Sequence, residues 1–419
     1  MLTTFLLVTG VALLIWSLWS RTFRRATVNG PIVMTGLGLI AGAVLPTQGI
    51  LFMESKATLF LAEIVLAFLL FVDALDVRGS VRSQFTGVPV RLLGIGLPLS
   101  LVLVLAVGLM LPLGLSVAVV LAIACIAVPA DFSPETSLVR DERIPARVRR
   151  WLSVESGYND GLVSPLLLAA LAFASAGTTG DAGRAFAVAA PAGLIAVLVG
   201  AAVGAAIGGA TRFADERGWT EPQSMRIAFV AAPLIVFAAA VMLHGNGFVA
   251  VFVAGIAIRL TRGEKGLDRA ELTLLEDVSW LTNLLLWLAF GFAAVVLLSE
   301  TYDWWPAIAL ALVALTIGRI IPVGIALLGS EATRQERIFV AVVGPRGAAS
   351  IVFGLIAANA LPGEQGFLVL AATCMVVLGS VAIHGIGGPL LVRRLWGARA
   401  ADAAPPPVGA AAASVKPPA

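Results

Sequence analysis

The sequence predicts an all-α, polytopic membrane protein of about thirteen transmembrane helices, each about 20 residues long. Three observations predict it. First, 59% of the 419 residues are hydrophobic and 13% charged, with mean hydropathy +0.98, whereas soluble domains are nearer about 25% charged. Second, apolar runs of membrane-spanning length recur along almost the whole chain. Third, the basic residues fall in alternate loops. The net charge of +3 leaves no nucleic-acid footprint. Cys125 and Cys374 sit in apolar runs with no CxxC and read as small buried hydrophobes. Two histidines are too few for a metal site of ordinary ligand count.

The elements follow in order. Leu2 to Trp19 is a span rather than a cleaved signal peptide, because Arg21, Arg24 and Arg25 follow it instead of preceding it. The later spans are expected at 30–46, 57–76, 91–111, 114–138, 151–176, 184–210, 226–243, 246–260, 277–299, 305–328, 337–360 and 366–392. Arginine and lysine cluster after the odd-numbered spans, for example Arg140 to Arg150 after the fifth and Arg259 to Arg269 after the ninth. Loops such as HGNG and LPGEQG carry none. The positive-inside rule then places the amino terminus outside and the carboxyl terminus in the cytoplasm. Trp19, Trp151, Trp219, Trp304, Trp305 and Trp396 fall near span ends, as an aromatic belt would place them. Residues 1–397 form the transmembrane domain, and the Ala/Pro-rich segment 398–419 reads as a disordered cytoplasmic tail.

An ionisable side chain at membrane depth costs at least about 2.5–3.5 kcal/mol. This chain has many: Glu63, Asp73 and Asp76 in span three, Asp131 and Glu135 in span five, Glu155 and Asp160 in span six, Arg319 in span eleven and Arg346 in span twelve. In ESGYNDGLVSP, Ser156 and Asp160 share one helix face, and Glu155 and Asn159 a neighbouring strip. Asn159 and Asp160 offer three side-chain oxygens with the Ser156 hydroxyl one turn away, a donor set for a hard cation rather than a soft metal. The alternative places these residues in a loop before a later-starting span.

Spans five and twelve are interrupted. In AVPADFSPE, Pro129 and Pro134 flank Asp131, and proline both removes an amide donor and disfavours helix in the residue before it. Either the backbone unwinds at membrane depth, which is tolerated where it lines a site, or the span ends at Val128 and Asp131 begins a loop. In VVGPRGAASIVFG, Gly344, Pro345 and Gly347 surround Arg346 between long apolar runs. Arg346 needs an acid, with Glu155 the first choice and Asp131 the second. Spans five and twelve are seven apart and run in opposite directions, so spans one to six and eight to thirteen can be two inverted repeats. Paired interrupted spans in corresponding places point to a secondary-transporter site.

On VESGYNDG, PAD and GPRGAASIVF together, the chain resembles the bacterial sodium/proton exchangers of the monovalent cation/proton antiporter family, in the electroneutral branch with an Asn-Asp pair. The match runs over nearly the whole chain except the tail. The resemblance implies thirteen spans with crossed discontinuous helices five and twelve, a homodimer and a multi-pass protein of the bacterial inner membrane. It implies Asp160 as the main cation and proton carrier with Asn159 beside it. Asp131, Ser156, Asp73 and the Ala130 carbonyl complete the coordination, so that Na+ lies at Asp131 and Asp160. The family usually has threonine where this chain has Ala130, so a hydroxyl is missing there. Glu155 and Arg346 match the family's structural ion pair, and Arg319 a helix-positioning site. Glu63 and Asp76 have no assigned role.

The expected activity is exchange of a monovalent cation, Na+ first with Li+ or K+ as alternatives, for protons that compete for the same carboxylate. The partners are therefore cations, protons and membrane lipid. No cofactor is expected, no Walker A pattern occurs, and the isolated His244 and His384 do not suggest an intramembrane protease. An organic-anion carrier would need donors for a carboxylate where span six is acid-rich. A channel would build its filter on a symmetry axis.

Overall fold

The computed structural model describes residues 2–25, 28–45, 56–76, 87–132, 138, 141–175, 182–263 and 267–397, and among them there is no strand. Each of the thirteen expected extents holds helix. They are α1 (Leu2–Arg25), α2 (Gly30–Val44), α3 (Lys56–Asp76), α4 (Val88–Met110), α5 (Val117–Ala127), α6 (Ala146–Ser175) and α7 (Ala182–Glu216). Then come α8 (Pro222–Met242), α9 (Gly247–Arg262), α10 (Arg269–Leu298), α11 (Trp305–Leu315 and Ile317–Ala326), α12a (Arg334–Val342), α12b (Ala348–Ala360) and α13 (Gly363–Trp396). Among the described residues nine helical segments are long and apolar enough to cross a membrane, and α2, α5 and α12b are shorter apolar helices. Glu135, Pro134 and the segment 398–419 lie outside the described residues, as does the side chain of Asp76.

Two groups of helices emerge from the packing. α4, α5, α6, α11, α12 and α13 touch mainly one another, while α2 packs on α10, α7 on α9, and α8 on α9 and α10. The members of the first group are two runs of three, seven helices apart, which agrees with the expected inverted repeat. α3, α6 and α12b connect the two groups.

Small residues set the closest approaches, as expected where lipid competes with protein for apolar contacts. Gly200, Gly204 and Gly208 form one stripe of α7 against Ala250, Ala254 and Ile258 of α9; a Cβ on Gly204 would lie 2.6 Å from the Ala254 Cα. Gly38 of α2 and Gly291 of α10 allow the same approach, each facing the other helix's backbone at 2.2 Å from an added Cβ.

Two expectations about the rim are corrected. Trp151 is not a belt residue: it is 2% exposed and packs with Leu152, Phe132 and Val392 beneath the arginine-rich end. Its helix begins five residues earlier than expected, at Ala146, which draws the ring inside. Arg262, expected among the loop charges, is buried and donates to both Glu271 oxygens at 2.9 Å. Trp19, Trp219 and Trp305 are exposed as a belt requires.

Gly204→Val should lower the unfolding midpoint of the detergent-solubilised protein, with an overpacking cost of about 1–3 kcal/mol. Gly209→Ala should not, since its methyl would meet Thr261 Cγ2 at an ordinary 3.9 Å. Tryptophan fluorescence during heating measures both.

Candidate cation-binding site

α5 stops at Ala127, and Val128, Pro129, Ala130 and Phe132 continue without helix yet stay buried. The span therefore unwinds inside the protein, and Asp131 is not the first residue of a solvated loop. α12 does the same between Val342 and Ala348. Unwound backbone away from water must find partners for its N–H and C=O groups, and here the two interruptions supply many of them to each other. Asp131 N–H donates to the Pro345 carbonyl at 2.7 Å. Ala348 N–H donates to Asp131 Oδ2 at 2.8 Å. Asp131 thus places a carboxylate at the amino end of α12b, where the helix dipole favours negative charge. Ser350 Oγ donates to the Ile126 carbonyl at 2.7 Å. Gly347 is required for this contact: a Cβ there would fall 2.2 Å from Asp131 Oδ2.

α6 brings the remaining groups. Asn159 is 1% exposed and donates through Nδ2 to the Ala130 carbonyl at 2.8 Å. That bond turns its Oδ1 the other way, where among the described residues it has no hydrogen-bond partner. Asp160 Oδ1 is likewise buried without a partner. Two adjacent residues thus present unsatisfied, buried oxygens, an arrangement that costs roughly 1–3 kcal/mol per group unless a ligand, proton or water completes it. Asp73 of α3 reaches the same helix, because Gly157 would meet its Cβ at 3.9 Å. Ser156 is half-buried one turn before Asp160. Hydrogen bonds thus join Asn159 to Ala130 and the neighbouring Asp131 to α12b, and Asp160, next to Asn159 in sequence, is buried on the same helix, with Asp73 against that helix at Gly157. Ala130 O already accepts one amide, so it has one lone pair left for a cation.

The expected ion pair is not the one observed. Glu155 pairs with Arg319, whose Nη1 and Nη2 lie 2.8 and 3.1 Å from its two oxygens. Arg319 also donates to the carbonyls of Val340 and Val343 at the end of α12a. Arg346 instead donates to the Val128 carbonyl and, at 3.3 Å, to Ala314 O. The reason is the backbone. Each interruption ends a helix and leaves carbonyls without intrahelical donors, and the five-donor guanidinium of Arg346 goes to those freed in α5 and at the Thr316 break of α11. Arg319 of α11 bonds the end of α12a and takes the acid as well. Gly344 makes room for it, since a Cβ there would collide with the guanidinium.

Two residues of α13 that no sequence motif ties to the site also appear. Ser380 and His384 accept hydrogen bonds from the interruption of α12. At the arginine-rich end, Arg147 of α6 binds both oxygens of Glu336 at 2.7 Å. Glu336 in turn closes a capping box with Thr333 at the start of α12a.

Residues 9–394 match the family described as sodium/hydrogen exchanger, transmembrane. The chain belongs to this family. Its fold resembles that of the sodium proton antiporter MjNhaP1 from Methanocaldococcus jannaschii at pH 8, with a TM-score of 0.76 and 20% identity, covering 95% of this chain and 100% of that one. In sequence it is 29% identical over 164 residues to the K(+)/H(+) antiporter NhaP2 of Shewanella sp. (strain ANA-3), 38% of this chain and 27% of the relative. It is 25% identical over 272 residues to the protein of that name in Shewanella oneidensis, 63% of this chain and 45% of the relative. The chain thus aligns with less than half the length of these curated relatives.

The Glu155–Arg319 pair gives a stability test. Arg319→Ala strands a buried carboxylate and should cost about 3–5 kcal/mol of unfolding free energy. Arg319→Met combined with Glu155→Leu should recover much of that loss in a denaturant titration.

Proposed function

We propose that this protein exchanges a monovalent cation for protons across a cell membrane by alternating access. The observation that carries the reading is the pair of buried, unpartnered oxygens on Asn159 and Asp160, set where two unwound helices cross. Asp160 holds either a proton or a cation. In both states the carboxylate is neutralised, and a neutral site can pass through a low-dielectric interior that an unpaired charge cannot enter cheaply. The empty, charged site stays where water reaches it. That rule couples cation movement to proton movement without ATP.

Each residue then has a part. Asp160 Oδ1 and Asn159 Oδ1 hold the cation, and Ser156, Asp73, Asp131 and the Ala130 carbonyl complete the oxygen set. Glu155, Arg319 and Arg346 are structural. Na+ is the cation proposed first, because the donors are hard oxygens and the neighbour of similar fold is a sodium proton antiporter. K+ comes next, since relatives in sequence are K(+)/H(+) antiporters, and Li+ is tested beside them. Exchange is electroneutral in this reading, which rests on the likeness of ESGYND to the Asn-Asp branch. No cofactor takes part.

The group of α4–α6 and α11–α13 moves as one unit against the rest, and α1–α3 with α7–α10 provides the contact of a homodimer. The arginine-rich ends, including Arg147 and Arg334, face the cytoplasm by the positive-inside rule, and the amino terminus lies outside, in a bacterial inner membrane.

The test is proton flux in sealed vesicles holding the purified protein under an imposed pH gradient. Na+, Li+ or K+ should collapse the gradient with the wild-type protein. Asp160→Asn should abolish the collapse while eluting as a folded species. Exchange retained by that variant would sink the assignment.

A further inference from the structure

The interruption of α12 carries two amides on either side of Pro345, which has none, and both end on α13. Gly344 N–H donates to His384 Nε2 at 3.2 Å, and Arg346 N–H donates to Ser380 Oγ at 2.7 Å. Ser380 and His384 are four residues apart, so one strip of α13 presents both acceptors. Both side chains are buried. Because Nε2 accepts from a main-chain amide, the ring proton resides on Nδ1, which has Ser380 O at 3.0 Å and Ser380 Oγ at 3.2 Å. The histidine is therefore a neutral acceptor with its tautomer fixed by its own helix.

The connection continues toward the carboxylates. Between the two clamped amides stands the Pro345 carbonyl, which receives Asp131 N–H. Two residues past Arg346, the Ala348 amide holds Asp131 Oδ2. Asp131 follows Ala130, whose carbonyl orients Asn159. A cleft of about 260 Å³ lies beside His384, lined also by Val343, Gly387 and Arg394.

We propose that Ser380 and His384 are positioning residues for exchange: they pin the interruption of α12 to α13 and thereby set where Asp131 and Arg346 stand relative to Asp160. The inference rests on the exchange reading above. Neither side chain touches the cation. A loss of their hydrogen bonds frees the Gly344 and Arg346 amides, and a displacement of even about 1 Å at a binding site can reduce turnover by about a hundredfold.

The experiment has two parts, both on the full chain. In vesicles, His384→Leu fills the space but accepts no hydrogen bond, and should lower the maximal cation-driven proton flux by about tenfold or more. His384→Gln restores an acceptor and should recover most of the flux, with the wild-type pH midpoint and half-saturating cation concentration. His384→Leu exchanging at the wild-type rate, or His384→Gln failing as His384→Leu does, overturns the proposal. The second part needs no change at the clamp. The chain has two histidines, and His244 is an exposed turn residue at φ 60°, a conformation that asparagine tolerates. In His244→Asn protein carrying 15N-labelled histidine, the His384 signals should show Nδ1 protonated and Nε2 bare. The reverse tautomer or a charged ring overturns the clamp even if both His384 variants fail to fold. Wild-type protein that moves no protons with any of the three cations removes the exchange reading, and the clamp is then judged by the nitrogen signals alone.

Discussion

Two helices are unwound where no bulk water can satisfy them, and the rest of the structure follows from that constraint. Every exposed amide and carbonyl in the two interruptions needs a partner, and the partners come from several other places. Asp131 and Pro345 bind across the crossing. Asn159 takes Ala130 from α6, and Arg346 takes Val128 and Ala314. Arg319 closes the end of α12a from α11. Side chains that look like a catalogue of charges are in large part a hydrogen-bond supply for main chain. At the crossing, one oxygen each on Asn159 and Asp160 has no partner among the described residues, and neither has the Arg346 Nε donor.

The same constraint explains how charge is distributed. Arg319 and Glu155 are both buried and hold each other with two bonds, so neither oxygen of Glu155 is left without a donor. Arg346 gives its two terminal nitrogens to carbonyl dipoles. Asp131 is held at both ends, its amide by the Pro345 carbonyl and its carboxylate by the Ala348 amide. Asp160, by contrast, keeps an oxygen without a partner among the described residues, and in the proposed exchange a proton and a cation compete there rather than at Glu155. Glu336 shows the contrasting case outside the span. Burial alone would raise its carboxyl, but hydrogen bonds from Arg147 and Thr333 hold it below the ordinary carboxylate range.

Much of this architecture is legible in the sequence. Thirteen helices are legible because lipid imposes a length on apolar runs. The interruptions are legible because proline and glycine disfavour helix, and PAD and GPRG place them beside a charge at membrane depth. Asp160 and Asn159 stand out because polar groups there are expensive. The pairing of Glu155 is not legible. Two arginines compete for it, and the choice between Arg346 and Arg319 depends on where α11 breaks at Thr316, which no residue pattern announces. Ser380 and His384 look isolated because their partners are main-chain amides, and an amide leaves no mark on the sequence. Trp151 is misplaced by a helix start five residues earlier than expected, enough to turn a ring from the rim to the core.

The central claim is that one oxygen site holds either a proton or a cation. The most direct measurement counts protons released when Na+ binds to the purified protein, by titration calorimetry in two buffers of different ionisation enthalpy. Binding that expels about one proton per cation, with both the binding and the release lost in Asp160→Asn, is the predicted result. Cation binding that releases no proton, or that survives unchanged in the variant, would contradict the account.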